Sequence, residues 1–208
     1  MGTEGKRLAA ERRADRVRGL GERIADFLAA RGGRPTLELG CGHGHWLLSL
    51  AGAEETGPCV GVDLRSRRIR LADAKRERRG LEDVLFLKAE AGETLEAWPR
   101  ERPPARIFLL HPDPWPKKRH AKHRLTGPAF LDRMADATAP GAELYFRTDD
   151  EAFFEWSKEQ IFAHPAWSPV SLAWPHEAAS YFRDLLGVHG AITAVRSRSA
   201  SFAGPACP

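Results

Sequence analysis

Asp113 stands between Pro112 and Pro114, and the chain then runs Trp115-Pro116-Lys117-Lys118-Arg119-His120-Ala121-Lys122-His123-Arg124. The two prolines fix φ on either side of the carboxylate. After it come five Lys/Arg and two histidines with no acid among them. A rigid, lone carboxylate followed by a cationic loop suits two tasks. It places an electron-rich group at a reaction centre, and it holds a polyanion beside that centre. The plainer reading is a proline-broken turn with a solvated basic loop. That reading leaves Trp115 between prolines and the one-sided charge without a purpose.

A second constellation lies upstream, at Glu38-Leu39-Gly40-Cys41-Gly42-His43-Gly44. Glycines at a strand-to-helix turn let backbone approach a ligand closely. Asp63 closes the next apolar run, where an acid in such a fold receives ribose hydroxyls. A dinucleotide site wants Gly-x-Gly-x-x-Gly. Here the spacing is Gly-x-Gly-x-Gly with Glu38 just before it, which fits S-adenosylmethionine better than a nucleotide oxidoreductase cofactor. S-adenosylmethionine has no phosphate to seat, and its ammonium suits a carboxylate. Glu90, after the third strand, is placed either to reach an adenine amine or to cap the following helix. His43 and His45 flank Gly44 and are placed to touch cofactor; they have no metal-ligand company, and no metal site is read.

These residues need a frame that brings strand ends together. Residues from about 6 to 31 read as a helix, with Leu20, Ile24, Phe27 and Leu28 near helical spacing and Arg12, Arg13, Arg16, Arg18 and Arg23 on the remainder. Those arginines form either a solvated face or a polyanion-facing arm. A strict alternation follows: strand Thr36–Leu39, helix His43–Ala53, strand Cys59–Asp63, helix Arg67–Arg79, strand Val84–Lys88 and a short helix around Gly92–Trp98. Then come strand Arg106–Leu110, the basic loop, helix Pro128–Ala137, strand Glu143–Arg147 and helix Glu151–Phe162. The remainder reads as a strand at Ser168–Leu172, a short helix near Ala179–Leu186 and a strand near Ala191–Arg196. Short apolar strands alternating with helices predict an α/β, Rossmann-like fold with a mostly parallel sheet and helices on both faces. The expected division is a basic N-terminal helix or arm, 1–33, and a single methyltransferase domain, 34–208. Trp46, Trp98 and Trp156 read as core or semi-core.

Composition sets outer bounds. The 208 residues carry 32 Lys+Arg against 28 Asp+Glu, a formal net charge of +4, too mild to argue for nucleic acid by itself. The distribution says more, because positive charge gathers in the N-terminal helix, in Arg65–Arg79 and in Lys117–Arg124. Three scattered cysteines, Cys41, Cys59 and Cys207, give neither a disulfide framework nor a zinc site. The start lacks an apolar leader-like stretch, and no run is long and apolar enough to span a bilayer. The expectation is a cytoplasmic, reduced protein with no membrane partner. A monomer is favoured, since exposed apolar residues such as Phe202 are too few to argue an interface.

Motif and order together resemble one family, the bacterial tRNA (guanine-N7)-methyltransferases, which modify position 46 in the variable loop. The resemblance runs from about Thr36 to Trp156. It is carried by Pro112 through His120, the basic continuation, Arg124-Leu125-Thr126, Phe130-Leu131, Thr148-Asp149 and Phe154-Glu155-Trp156-Ser157. It implies cofactor contacts at Glu38, Gly40, Gly42, Gly44, Asp63, Glu90 and Asp113. It implies substrate contacts at Lys117 and Asp149, and RNA contacts at Lys118, Arg119, Lys122 and Arg124. Three positions depart conservatively: Glu90 stands where Asp is usual, Asp63 where Glu is common, and His111 where Phe is frequent. A larger departure is C-terminal. The family's Thr-x-Tyr/Phe-Glu, which lines the guanine pocket, is matched best by Ser180-Tyr181-Phe182-Arg183. An arginine only donates, whereas a glutamate accepts from guanine N1–H and N2–H₂. Either guanine is read differently through Ser180 and Arg183, or Glu177 supplies the acid, or the substrate differs.

The chemistry expected on this basis is simple. Guanine N7 has a free lone pair at neutral pH, so its attack on a sulfonium methyl needs no general base. Positioning and electrostatics then carry the rate. Asp113 is the expected catalytic residue, as a fixed carboxylate near the purine that gains positive charge. Asp149 adds a second acceptor. Thr148 either joins it or simply caps the strand end, and Trp115 either stacks on a base or packs under the loop. Two other readings compete: a related methyltransferase for a small purine-like or heteroaromatic nitrogen, and a non-catalytic RNA-binding module.

Overall fold

A computed structural model describes residues 3–53, 57–176 and 190–197. Seven strands form one sheet: β1 Thr36–Leu39, β2 Cys59–Asp63, β3 Val84–Lys88, β4 Arg106–Leu110, β5 Glu143–Thr148, β6 Trp167–Pro169 and β7 Gly190–Arg196. Their order is β3-β2-β1-β4-β5-β7-β6. The first five run parallel, while β7 pairs antiparallel with both β5 and β6. Among the described residues six α-helices accompany them: α1 Thr3–Ala29, α2 His45–Ala53, α3 Ser66–Arg78, α4 Ala91–Ala97, α5 Pro128–Ala137 and α6 Glu151–Ala163.

The apolar residues of each strand divide between two cores with the period of two that a pleated strand imposes. Leu37, Leu39, Val60, Val62, Ile107, Leu109, Leu144 and Phe146 meet residues of α1, α4, α5 and α6 on one face. Cys59, Phe86, Phe108 and Tyr145 meet α2 and α3 on the other. Parallel strands covered on both faces are expected to be almost wholly apolar. Glu38 and Asp63, both buried, are the two carboxylates that break the pattern.

Several expected bounds shift by a residue, and two differences and the form of the basic loop have a physical reason. The second helix begins at His45, because Gly44 has a positive φ of 68° and is outside the helix. The strand expected at Ser168–Leu172 is β6, Trp167–Pro169. Trp167 is pulled inward, its indole N–H donating to the Leu131 carbonyl at 3.1 Å. Pro169 has no N–H for the ladder. Beyond it the chain leans on Thr193, whose hydroxyl accepts from the Leu172 N–H at 3.1 Å. The basic loop is a six-residue 3₁₀ turn, Lys118–His123. The helix expected near Ala179–Leu186 lies outside the described residues.

The N-terminal helix packs as part of the body. Leu20, Ile24 and Leu28 enter the first core. Arg13 pairs with Glu96 at 2.5 Å and Arg16 with Glu93 at 2.7 Å, both acids of α4. Those two arginines are paired with the protein's own carboxylates while their side chains stay accessible to solvent.

Candidate active site

The carboxyl ends of the parallel strands gather the expected residues on one edge. The turn after β1 holds Gly40, Gly42 and Gly44 at φ of 81°, 55° and 68°, a region costly for any residue with a Cβ. The Gly40 and Cys41 N–H groups both donate to the Val62 carbonyl, at 2.8 and 2.9 Å, so the turn folds over the end of β2. A side chain at Gly44 would strike Phe86 and Ala72, whereas one at Gly40 or Gly42 would meet open space. The turn is therefore tight beneath and open above.

Asp63 organises this turn. Its carboxylate accepts from the Gly42 N–H at 3.2 Å, the Arg65 N–H at 2.7 Å and the Arg68 guanidinium at 3.3 Å. Glu38 is placed differently. It is buried, and its Oε2 has no hydrogen-bond partner among the described residues. Burial, and then the charge of Asp63, push its pKa up to about 8. A buried acceptor left open is costly in isolation and favours a cationic donor. Cys41, between the two, is buried, and burial raises its thiol pKa. From α3, Lys75 donates to the His43 carbonyl at 3.1 Å and meets His45 Nε2 at 2.9 Å. Burial and the Lys75 charge lower the pKa of both imidazoles.

The Asp113 loop leaves β4 two strands away from Asp63. His111 still pairs through its N–H with the Arg147 carbonyl at 2.8 Å. Its φ is then 49°, and that of Trp115 is 45°. Two bulky residues with positive φ, four apart, bracket Asp113. Such conformations cost on the order of 1–3 kcal/mol each and persist only where the surroundings enforce them. Much of the enforcement comes from Arg124. Its Nε donates to the Pro114 carbonyl at 2.8 Å and Nη2 to the Trp115 carbonyl at 3.2 Å. The guanidinium also lies over the Trp156 ring, 4.4 Å from its centroid. Two residues on, the buried Thr126 hydroxyl meets Ser157 at 2.8 Å. Arg124, expected to contact RNA, thus also holds the loop. Asp113 itself is exposed and carries no hydrogen bond or ion pair among the described residues.

Other cations of the basic turn face outward. Lys117, Arg119 and Lys122 are exposed. Lys118 opens the turn by its backbone. Trp115 is 37% exposed and touches the His120 and His123 rings, at centroid distances of 5.6 and 5.2 Å. The alternatives of stacking on a base and packing under the loop thus meet halfway.

Beyond β5, Asp149 is held by His111, whose Nδ1 lies 3.1 Å from its carboxylate. Thr148 is buried and its hydroxyl accepts from the Asp150 N–H at 3.2 Å, the strand-end cap that was one of its two readings. Glu90 caps α4, accepting from the Glu93 N–H at 2.8 Å, with its side chain exposed. Capping and a ligand contact are compatible, because a carboxylate has further lone pairs.

Ser180, Arg183 and Glu177 lie outside the described residues. The chain on either side of them is described. The Trp46 indole N–H donates to the His176 carbonyl at 3.3 Å, and Ser49 meets the His176 ring at 2.8 Å. Gly190 pairs with Thr148. His176 is thus described beside the first turn of α2, and Gly190 beside the end of β5. Sequence reasoning missed His111 as the holder of Asp149, Arg124 as a brace and Lys75 as a support of the glycine turn. Only His111 left a signal, as a residue unusual at its place.

A model of the methyltransferase family described as "Putative methyltransferase" matches residues 34–182. The chain belongs to this methyltransferase family. Among curated relatives, the tRNA (guanine-N(7)-)-methyltransferase of Rhodospirillum rubrum is 34% identical over 130 residues, 62% of this chain and 51% of that one. The protein of the same name from Methylococcus capsulatus is 37% identical over 118 residues, 57% of this chain and 51% of that one. The methyltransferase thus spans about half the length of the relatives it matches. An O-methyltransferase from Bacillus cereus, solved with SAH, superposes with a TM-score of 0.56 at 21% identity, over 88% of this chain and 81% of that one. An rRNA methylase from Streptococcus thermophilus does so at 0.56 and 14% identity, over 83% and 93%. At those identities the two structures establish the shared Rossmann-like methyltransferase fold of this methyltransferase.

Proposed function

We propose that the protein transfers a methyl group from S-adenosylmethionine to N7 of a guanine in tRNA, at position 46 of the variable loop. The observation that carries this reading is Asp113: a free, exposed carboxylate on a strained, braced loop, at the same sheet edge as the glycine turn. It belongs to a chain aligned with relatives bearing that activity in their names.

The residues present fit the cofactor. The open oxygen of buried Glu38 suits the ammonium of the methionyl part. The open space above Gly40 and Gly42 admits close approach of its backbone-like atoms. Asp63 has capacity for ribose hydroxyls beside the bonds it already accepts, and Glu90 faces the adenine side. Bound there, S-adenosylmethionine supplies a methyl made electrophilic by the sulfonium.

The protein's own part is placement and charge. A guanine N7 held at that methyl would take it up with its own lone pair, the carbon–sulfur pair would stay with sulfur, and the purine would gain the positive charge. Asp113 is the catalytic residue that meets this charge, and no side chain needs to take a proton from N7. Asp149, steadied by His111, is a second acceptor for the guanine. Ser180 and Arg183 complete the substrate pocket, and Lys117 places the base while it holds a neighbouring phosphate. Lys118, Arg119 and Lys122 hold tRNA phosphates, contacts that position without reading sequence.

Residues 34–208 are the catalytic unit and α1 is its docked N-terminal arm. Among the described residues no helix is long and apolar enough to cross a membrane. The protein works in the cytoplasm as a single chain. The test is incubation with S-adenosylmethionine and unmodified tRNA, followed by chemical cleavage at 7-methylguanosine. A single cut in the variable loop is expected. Methylation of a free purine with none on tRNA would contradict the reading.

A further inference from the structure

The Asp113 loop uses one of the three concentrations of positive charge in the sequence. The N-terminal helix places Arg13 and Arg16 on the protein's own glutamates. The third, on α3, is different. Arg68 and Arg76 are occupied by Asp63 and Asp73. Arg65, Arg67, Arg70, Arg78 and Arg79 are exposed and have no ion pair among the described residues. Arg67, Arg70 and Arg78 recur near three and four residues and their multiples, so they lie along one outward stripe.

We infer that this stripe of α3 is a second tRNA-binding surface, whose arginines neutralise backbone phosphates while the loop 117–122 holds the nucleotides next to the reacting base. The inference rests on the tRNA reading above and extends it. Three observations support it. Helix α3 begins at Ser66, three residues after Asp63, at the edge carrying the glycine turn, so a polyanion of tRNA size reaches both stripe and loop. The thirteen residues of α3 span about 20 Å at a rise of about 1.5 Å each, long enough to follow several phosphates. The unpaired cations also hold Lys75 down: after burial, the charges of Arg78 and Arg79 lower its pKa. Cations left mutually repelling on one face disfavour the free protein and favour a polyanion that covers them. The exposed Leu64 and Leu71, 65% and 43% accessible, lie within this basic surface. An acidic protein is the other polyanion that would fit.

The test uses the full chain with Arg67→Ser, Arg70→Ser and Arg78→Ser combined, and separately the reversal Arg67→Glu with Arg70→Glu. The affinity for unmodified tRNA is measured by fluorescence anisotropy from 50 to 200 mM salt, and the affinity for S-adenosylmethionine by calorimetry. The expected result is tRNA binding weaker by at least about tenfold at low salt, with a slope of log K against log salt shallower by about 0.7–0.9 for each phosphate that is no longer neutralised. The charge reversal is weaker still, and S-adenosylmethionine affinity is that of the parent. If both variants match the parent in tRNA affinity and slope, the stripe does not bind tRNA and an acidic protein becomes its occupant. Weaker binding with an unchanged slope also overturns the inference, because phosphates are then not what the arginines touch. A parent chain that neither binds nor methylates tRNA removes the functional reading itself, a result distinct from either of these.

Discussion

Arg124 donates to the Pro114 carbonyl at 2.8 Å across ten residues of chain, and so ties the end of the basic turn to the loop that presents Asp113. The same guanidinium rests on Trp156. An arginine used this way acts through position. Arg124→Ala should lower kcat by at least about tenfold, as small misplacements of reacting groups do. Affinity for S-adenosylmethionine and the salt slope for tRNA should stay near the parent values. A variant with full kcat and a flattened salt slope would show Arg124 to be an RNA contact after all.

Lys117 and Arg119 should behave in the opposite way. They are exposed, and phosphate contacts are weakened by salt through counterion release. Lys117→Ala combined with Arg119→Ala should weaken tRNA binding at 50 mM salt and flatten its salt slope by about one to two, read by filter binding. Identical curves for variant and parent would exclude the turn from the RNA surface.

Glu38 makes cofactor affinity depend on pH. Its pKa in the folded, ligand-free protein is raised, from 4.5 to about 8. Its contribution to stability is therefore present in full below the ordinary carboxylate value and is lost as pH rises through about 8. A cationic ligand needs the ionised form, so binding drives a proton off. Titration calorimetry in buffers of different ionisation enthalpy should show proton release near pH 7. S-adenosylmethionine affinity should rise with pH, by up to about tenfold per unit below that pKa. In Glu38→Gln both effects should vanish. Proton release unchanged in that variant would place the coupling elsewhere.

Gly44 tests the fold of the turn. It combines φ of 68° with a space already filled by Phe86 and Ala72. Gly44→Ala should lose about 2–4 kcal/mol in urea unfolding, the sum of left-handed strain and overpacking. Gly42→Ala has only the strain, about 1–2 kcal/mol, because a Cβ there meets open space. Equal losses would mean that the turn is not packed from below.

Much of the frame was legible in the sequence, for physical reasons that vary along the chain. The strands Cys59–Asp63 and Arg106–Leu110 appear with the expected bounds, because a strand buried on both faces must be a short apolar run. The glycine turn was legible because positive φ demands glycine. The start of α2 was not, because His43 and His45 are equally good helix residues, and only the φ of Gly44 separates them. Arg124 reads as RNA-facing in the sequence because five basic residues in one loop look alike until one of them finds two carbonyls and a tryptophan face. His111–Asp149 was out of reach, since the partners are 38 positions apart and meet only when β4 and β5 pair.

Asp113 carries the central claim, and single-turnover methyl transfer tests it most directly. Parent and Asp113→Ala, each saturated with labelled S-adenosylmethionine, are mixed with limiting unmodified tRNA, and label in the variable-loop guanine is followed in time. The account predicts a transfer rate lower by about 10²–10³ in the variant, the loss typical of removing one preorganised electrostatic group. A variant that transfers methyl at the parent's rate would contradict it.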